Sequence, residues 1–197
     1  MAYFPFMIDV ADRICLIAGG GRVAYRKTIN MLEFGAKVKI VAPDICTEID
    51  QLTNKAEYEN RISLARRRVE EADTEDAFVV IMATDDEKLN SHMARVCKDR
   101  NILVNVVDVK EDCGFYFPAI IKDRDVVVAV STGGQSPTLA ARIKNDIKKS
   151  IPENCGFVAQ ELGRRRQEIL EAFDQEQDRK KAFRKLMEEL LTEDVSE

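Results

Sequence analysis

The stretch Ile14-Cys-Leu-Ile-Ala-Gly-Gly-Gly-Arg-Val-Ala24 decides how the chain is read. A short apolar run stops at three glycines, and a helix-favouring segment, 23–34, follows at once. The pattern is G-x-G-x-x-A through Gly19, Gly21 and Ala24. Its parts have separate physical uses: a tight turn, close approach of backbone to a pyrophosphate, and close packing of helix on sheet. A helix that starts there aims its first N–H groups at an anion. The pattern alone carries little weight; between a strand and a helix it points to a nucleotide. The alternative is an ordinary α/β turn with no nucleotide.

Working outward, β-branched runs at 14–18, 37–41, 63–67, 78–83 and 102–107 alternate with longer amphipathic stretches. A sixth run, 126–130, follows a break at Pro118. This alternation predicts an α/β fold built on a Rossmann-type parallel sheet. Gly35 suits the left-handed position that ends the 23–34 helix. A second helix is expected over 87–100, with Thr84 or Asp85 as its N-cap. Ser136-Pro137 reads as a cap followed by proline at the first helical position, opening a helix with Leu139, Ile143 and Ile147 on one stripe. We expect a nucleotide-binding domain over 1–112, a smaller region over 113–150 and a helical tail over 151–197. In the tail Phe183, Leu186, Met187, Leu190 and Leu191 fall at helical spacing, which suits packing on the chain's own core or on a second subunit.

Composition narrows the function classes. The chain has 197 residues, 45% of them hydrophobic and 33% charged, a globular composition with a formal net charge of -5. That balance argues against a general nucleic-acid binder. The five cysteines are widely spaced, with no CxxC and a single histidine, so neither a disulfide framework nor a histidine-rich metal site is expected. No secretory leader or membrane-spanning run is read, and a reduced, cytoplasmic setting is the expectation.

In an open parallel sheet, ligands bind beyond the carboxyl ends of the strands. Asp44 stands 23 residues after Gly21 beyond the second strand, where a ribose-binding acid belongs, although Pro43 makes that turn atypical. An acid there favours NAD over NADP. Thr84 follows the fourth strand. Asn105-Val-Val-Asp108 ends the fifth, where a carboxylate can take a proton while a hydride leaves; position alone favours an ordinary turn aspartate over that role. The loop Ser131-Thr-Gly-Gly-Gln-Ser-Pro137 opens a helix with small residues and backbone donors, a setting for a phosphate or a carboxylate, with Arg142 and Lys144 on the same helix. His92 sits inside a helix, Cys113 reads as an idle thiol rather than a nucleophile, and Arg66-Arg67-Arg68 as a solvated edge.

Together these pieces resemble the siroheme synthase N-terminal family, the precorrin-2 dehydrogenases, some of which are also sirohydrochlorin ferrochelatases. The matching segments are Tyr3-Phe-Pro-Phe6, Gly19-Gly-Gly-Arg-Val-Ala-Tyr-Arg-Lys27, Val41-Ala-Pro-Asp44, Ala83-Thr-Asp-Asp86, Asn105-Val-Val-Asp108, Phe117-Pro-Ala119 and the 131–137 loop. The resemblance implies NAD-dependent oxidation of precorrin-2 to sirohydrochlorin, on the route to siroheme or cobalamin. It makes Asp108 the favoured proton acceptor. NAD contacts carry over to Gly19, Gly21, Arg22, Val23, Pro43, Asp44 and Thr84. Substrate contacts carry over to Asn105, Ser131, Thr132, Gly133, Gly134 and Arg142. A family serine that can be phosphorylated corresponds here to Thr132.

The family also implies a homodimer, with the smaller region and tail contributing, and leaves insertion of ferrous or cobaltous ion open. No methyltransferase segment is read in the chain, so precorrin-2 is expected from a separate enzyme. Two other classes fit parts of the pattern. One is a nucleotide-sensing domain of potassium-transport regulators, which has no evident use for the Phe117-Pro-Ala119 and 131–137 segments. The other is a catalytically inert assembly partner.

Overall fold

The computed structural model describes residues 4–192, so Tyr3 of the first motif lies outside the described residues. The chain folds as two compact units, Met1–Tyr116 and Phe117–Glu197.

The first unit holds five strands, β1 (Ile14–Ala18), β2 (Lys37–Val41), β3 (Ile62–Ala65), β4 (Val79–Met82) and β5 (Leu103–Val106). They form one parallel sheet in the order β3-β2-β1-β4-β5. Chain order reverses between β1 and β4, which puts the ligand-binding crevice of such sheets beyond the carboxyl ends of those two strands. β1 and β4 are central; Leu16, Ile17, Val80 and Ile81 are fully buried. Their unbroken apolar runs are what a sheet covered on both faces requires.

Helices α1 (Arg22–Glu33), α2 (Thr47–Thr53) and α3 (Glu87–Asp99) complete this unit. Gly35 ends α1 at φ +87 as its position suggested. The cap of α3 is Asp86 rather than Thr84 or Asp85: its carboxylate accepts from the Leu89 amide at 3.1 Å. Thr84 instead donates to Asn90 Oδ1 at 2.7 Å, while Asn90 Nδ2 donates to the Thr84 carbonyl at 2.8 Å. Three consecutive cap-forming residues compete here, and the exchange with buried Asn90 takes Thr84.

The arginine run is also more than a solvated edge. Arg67 makes a two-pronged bond to Asp73, 2.7 Å on each arm, and Lys39 reaches the same carboxylate at 2.8 Å. Asp73 is only 5% exposed. Its carboxyl is held well below the ordinary range, chiefly by the Arg67 guanidinium and then by Lys39 and the Glu70 amide.

The second unit contains a strand the sequence reading passed over. β6 (Ala119–Asp123) pairs antiparallel with β7 (Val126–Val130). Pro118 precedes β6 rather than interrupting it, and proline is tolerated just before a strand. Helices α4 (Pro137–Lys148), α5 (Cys155–Arg164), α6 (Arg166–Ala172) and α7 (Glu176–Thr192) follow. Asp123 Oδ2 accepts from the Gly156 amide at 2.6 Å and so anchors the start of α5 to the hairpin. On α4 the expected stripe leaves Leu139 and Ile143 exposed. On α7 Leu190 is buried while Met187 is exposed. Among the described residues no helix is long and apolar enough to cross a membrane.

Candidate functional site

The carboxyl edge of the five-stranded sheet collects most of the residues singled out from sequence. At the end of β1, Gly19 takes φ +127, and a Cβ there would run into the carbonyl of Ala83 at the end of β4. Gly20 lies against the Asp44 carbonyl just as closely, and the Cys46 amide donates to the Gly20 carbonyl at 2.8 Å. The turn is thus wedged between two neighbouring strand ends. Gly21, in contrast, has nothing within 4 Å of where its Cβ would stand.

Gly21 also serves as the N-cap of α1 without a side-chain hydrogen bond, and no acidic residue occupies the first turn. A helix start with no capping side chain offers its amides, and the positive end of its dipole, to an external anion. Ala24 is fully buried, the close helix–sheet approach its small side chain allows. Arg22, Pro43 and Asp44 are exposed beside this turn and Val23 is half-buried. A tight Gly19-Gly20 turn leading into an open, uncapped helix start fits the pyrophosphate of a dinucleotide. Gly20 was not singled out from sequence; its signal is the need for a missing side chain opposite Asp44.

Asp108 follows β5, the strand next to β4. It is exposed and adopts φ +62, a left-handed conformation uncommon for a residue with a side chain. Asn105 is 6% exposed, and its amide donates to the Phe115 carbonyl at 2.9 Å and approaches Cys113 Sγ at 3.5 Å. Its placement by resemblance as a substrate contact therefore meets an amide group already engaged in the loop. Lys27, on α1, shares the electrostatic surroundings of this corner. Burial and then the Arg26 charge pull its ammonium down to about 8, against the opposing influence of Cys113 and Asp108.

Ser131, Thr132, Gly133, Gly134 and Arg142 belong to the second unit. Gly133 and Gly134 sit at φ +61 and +73, and the Gly133 amide donates to Ser131 Oγ at 3.2 Å. Thr132 Oγ1 accepts from the Ser136 amide at 3.1 Å. Ser136 Oγ in turn caps α4, accepting from the Leu139 amide at 3.1 Å. Arg142 is bonded to Asp146 at 2.8 Å on the exposed face of α4. Among the described residues no group of three or more His, Cys, Asp and Glu side chains is arranged to hold a metal ion. His92 pairs with Glu71 at 2.6 Å, outside the crevice residues.

The fold and its wedged glycine turn define a nucleotide-binding α/β protein of the Rossmann type. A family model described as putative NAD(P)-binding matches residues 6–119, more than half of the chain, and the chain belongs to that family. A second model, described as sirohaem biosynthesis protein central, matches residues 128–150. Among similar curated proteins, the siroheme synthase of Thioalkalivibrio sulfidiphilus is 37% identical over 193 residues, covering 98% of this chain and 39% of that protein. That of Nitrosospira multiformis is 35% identical over 188 residues, covering 95% and 40%. The chain thus spans about two fifths of the length of these relatives. Among solved structures, SirC, a precorrin-2 dehydrogenase, aligns with a TM-score of 0.71 at 27% identity, covering 98% of this chain and 90% of that one. The resemblance read from the motifs accordingly stands.

Proposed function

We propose that this protein oxidises precorrin-2 to sirohydrochlorin with NAD as the oxidant, and that Asp108 takes the proton. The observation that carries the reading is the pairing of two features at one sheet edge. An uncapped helix start lies beyond β1, at the point where strand order reverses, and a carboxylate in a constrained turn lies beyond β5. The names of the similar proteins supply the substrate class.

The dinucleotide, when bound, supplies a hydride acceptor. Gly19, Gly20 and Gly21 would admit its pyrophosphate, with Arg22 and Val23 opening the helix beside it and Thr84 at the neighbouring strand end. Asp44 belongs with the ribose, where a carboxylate repels the extra phosphate of NADP; this is the basis for preferring NAD. The oxidation removes two electrons and two hydrogens from the macrocycle. The Asp108 carboxylate would take one hydrogen as a proton and pass it to water, the other being the hydride that a bound dinucleotide would accept. Such a base contributes typically ~10² to 10⁴ in rate. No covalent nucleophile is required. Ser131, Thr132, Gly133, Gly134 and Arg142 are our candidates for the substrate's carboxylates, with Asn105 shaping the loop behind Asp108. We place the reaction in the cytoplasm and the protein in a homodimer, the latter by the family resemblance and the apolar side chains left exposed on α4.

The test is anaerobic incubation of purified protein with enzymatically made precorrin-2 and either NAD or NADP. NADH should form one-for-one with the visible spectrum of sirohydrochlorin, and NADP should be the poorer oxidant. Absence of NADH with active precorrin-2 would contradict the reading. A second reading, insertion of ferrous or cobaltous ion into the product, is favoured by the name siroheme synthase carried by the curated relatives. Adding each ion to isolated sirohydrochlorin, without NAD, tests it separately.

A further inference from the structure

Asp108 occupies a turn that the backbone alone closes weakly. The direct bond across it, from the Val109 amide to the Val106 carbonyl, is 3.5 Å long. The left-handed φ of +62 at Asp108 has no glycine to relieve it. A non-glycine residue persists in this region where its surroundings over-determine it.

Those surroundings converge on the sulfur of Cys113. The Val106 amide donates to Cys113 Sγ at 3.3 Å. The same sulfur stands 3.1 Å from the carbonyl of Val106 and 3.1 Å from that of Val109, so its single S–H can bond either side of the turn. Asn105 Nδ2 approaches it at 3.5 Å. Burial pushes the Cys113 thiol up from its ordinary value, so it keeps its proton at neutral pH and remains a donor.

The cysteine is itself fixed from outside the turn. Its amide donates to the Lys110 carbonyl at 3.2 Å, and the next amide, of Gly114, donates to the Val104 carbonyl at 2.8 Å. Just before it in the chain, Lys98 Nζ donates to the Glu111 carbonyl at 3.0 Å and Ser91 Oγ to the Asp112 carboxylate at 2.7 Å. Helix α3 thereby holds the loop, and the loop holds the thiol under the turn.

We propose that Cys113 is a positioning residue for Asp108, its thiol clipping together Val106 and Val109, which bracket the turn, and so fixing the direction in which the carboxylate is offered. This rests on the reading of Asp108 as the proton acceptor. Misplacing a reacting group by about 1 Å can cost on the order of 10²-fold in rate, so the clip has kinetic consequences without touching substrate.

The test compares wild type with Cys113→Ala, Cys113→Ser and Asp108→Asn, measuring kcat, the KM for NAD and the pH dependence of kcat. Removing the clip should lower kcat roughly tenfold, leave the KM for NAD within about twofold, and displace the acid limb of the kcat profile. Serine keeps a donor and an acceptor at the same point and should recover most of the loss. Should Cys113→Ala fold poorly, the serine variant carries the test through its smaller displacement of the same limb. Unchanged kcat and pH profile in Cys113→Ala, with Asp108→Asn inactive, would overturn the clip while leaving the reading of Asp108 intact. So would a loss of kcat that serine does not relieve and that leaves the acid limb in place, the mark of a purely structural role. Full turnover in Asp108→Asn would overturn both.

Discussion

Two places in this chain run from a strand through glycines into a helix, and they end differently. Between β1 and α1, Gly19 and Gly20 are pressed against neighbouring strand ends and the helix start carries no capping side chain. Between β7 and α4, Gly133 has open space around it, and Ser136 caps the helix from within. The two loops look alike in sequence as anion sites. In the first, absent side chains and an absent cap leave helix amides for a ligand. In the second, the Leu139 amide is satisfied by the chain itself. Glycine content marks both loops; the cap distinguishes them.

Substitutions can break or sharpen this contrast. The largest effect is expected from Gly20→Ala, whose Cβ would overlap the Asp44 carbonyl. It should cost about 1–3 kcal/mol of stability and raise the KM for NAD by roughly tenfold or more, measured by thermal melting and initial rates. A variant with wild-type melting and KM would show that the first loop is not wedged.

Acid supplies the next arm. The edge of the same sheet is tied by Asp73 to Arg67 and Lys39, and its carboxyl is depressed below the ordinary 3.8. A depressed carboxyl adds stability that is complete above the unfolded-state value and is lost as pH falls below it. Asp73→Asn should therefore melt several degrees lower than wild type at pH 7, with the gap closing below about pH 4. A gap that stays constant down to pH 3 would contradict the pairing.

Smaller effects should follow in the second loop. Gly133→Ala forces a side chain into the left-handed region, at about 1–2 kcal/mol, yet meets no neighbour and should leave the KM for NAD unchanged. Ser136→Ala removes the α4 cap at about 1 kcal/mol, again without effect on that KM. If either raises the KM for NAD as much as Gly20→Ala does, the two loops are not functionally distinct.

Much of the first unit was legible because its information is local. Strand runs such as 14–18 and 37–41 coincide with the observed elements, and Gly35 and Ser136 end and start helices where expected. β6 was missed because Pro118 precedes it and its last residues, Lys122 and Asp123, are charged. The pairing of Arg67 with Asp73 was not legible either, since the short 3-10 turn Glu71–Thr74 brings that carboxylate round. At the candidate site, Asp108 owed its prominence to the motif set, while Cys113 read as idle. Its bonds join Val106 and Val109 through a loop with no periodicity, so composition and spacing carry no trace of them.

The most direct measurement follows NAD binding and hydride transfer together in Asp108→Asn. Fluorescence titration gives the affinity for NAD, and rapid mixing with precorrin-2 gives the single-turnover appearance of NADH. Asp108 follows β5 rather than the glycine turn after β1, so wild-type affinity for NAD is expected, with NADH formation slowed by about 10² to 10⁴. NADH appearing at the wild-type rate would contradict it.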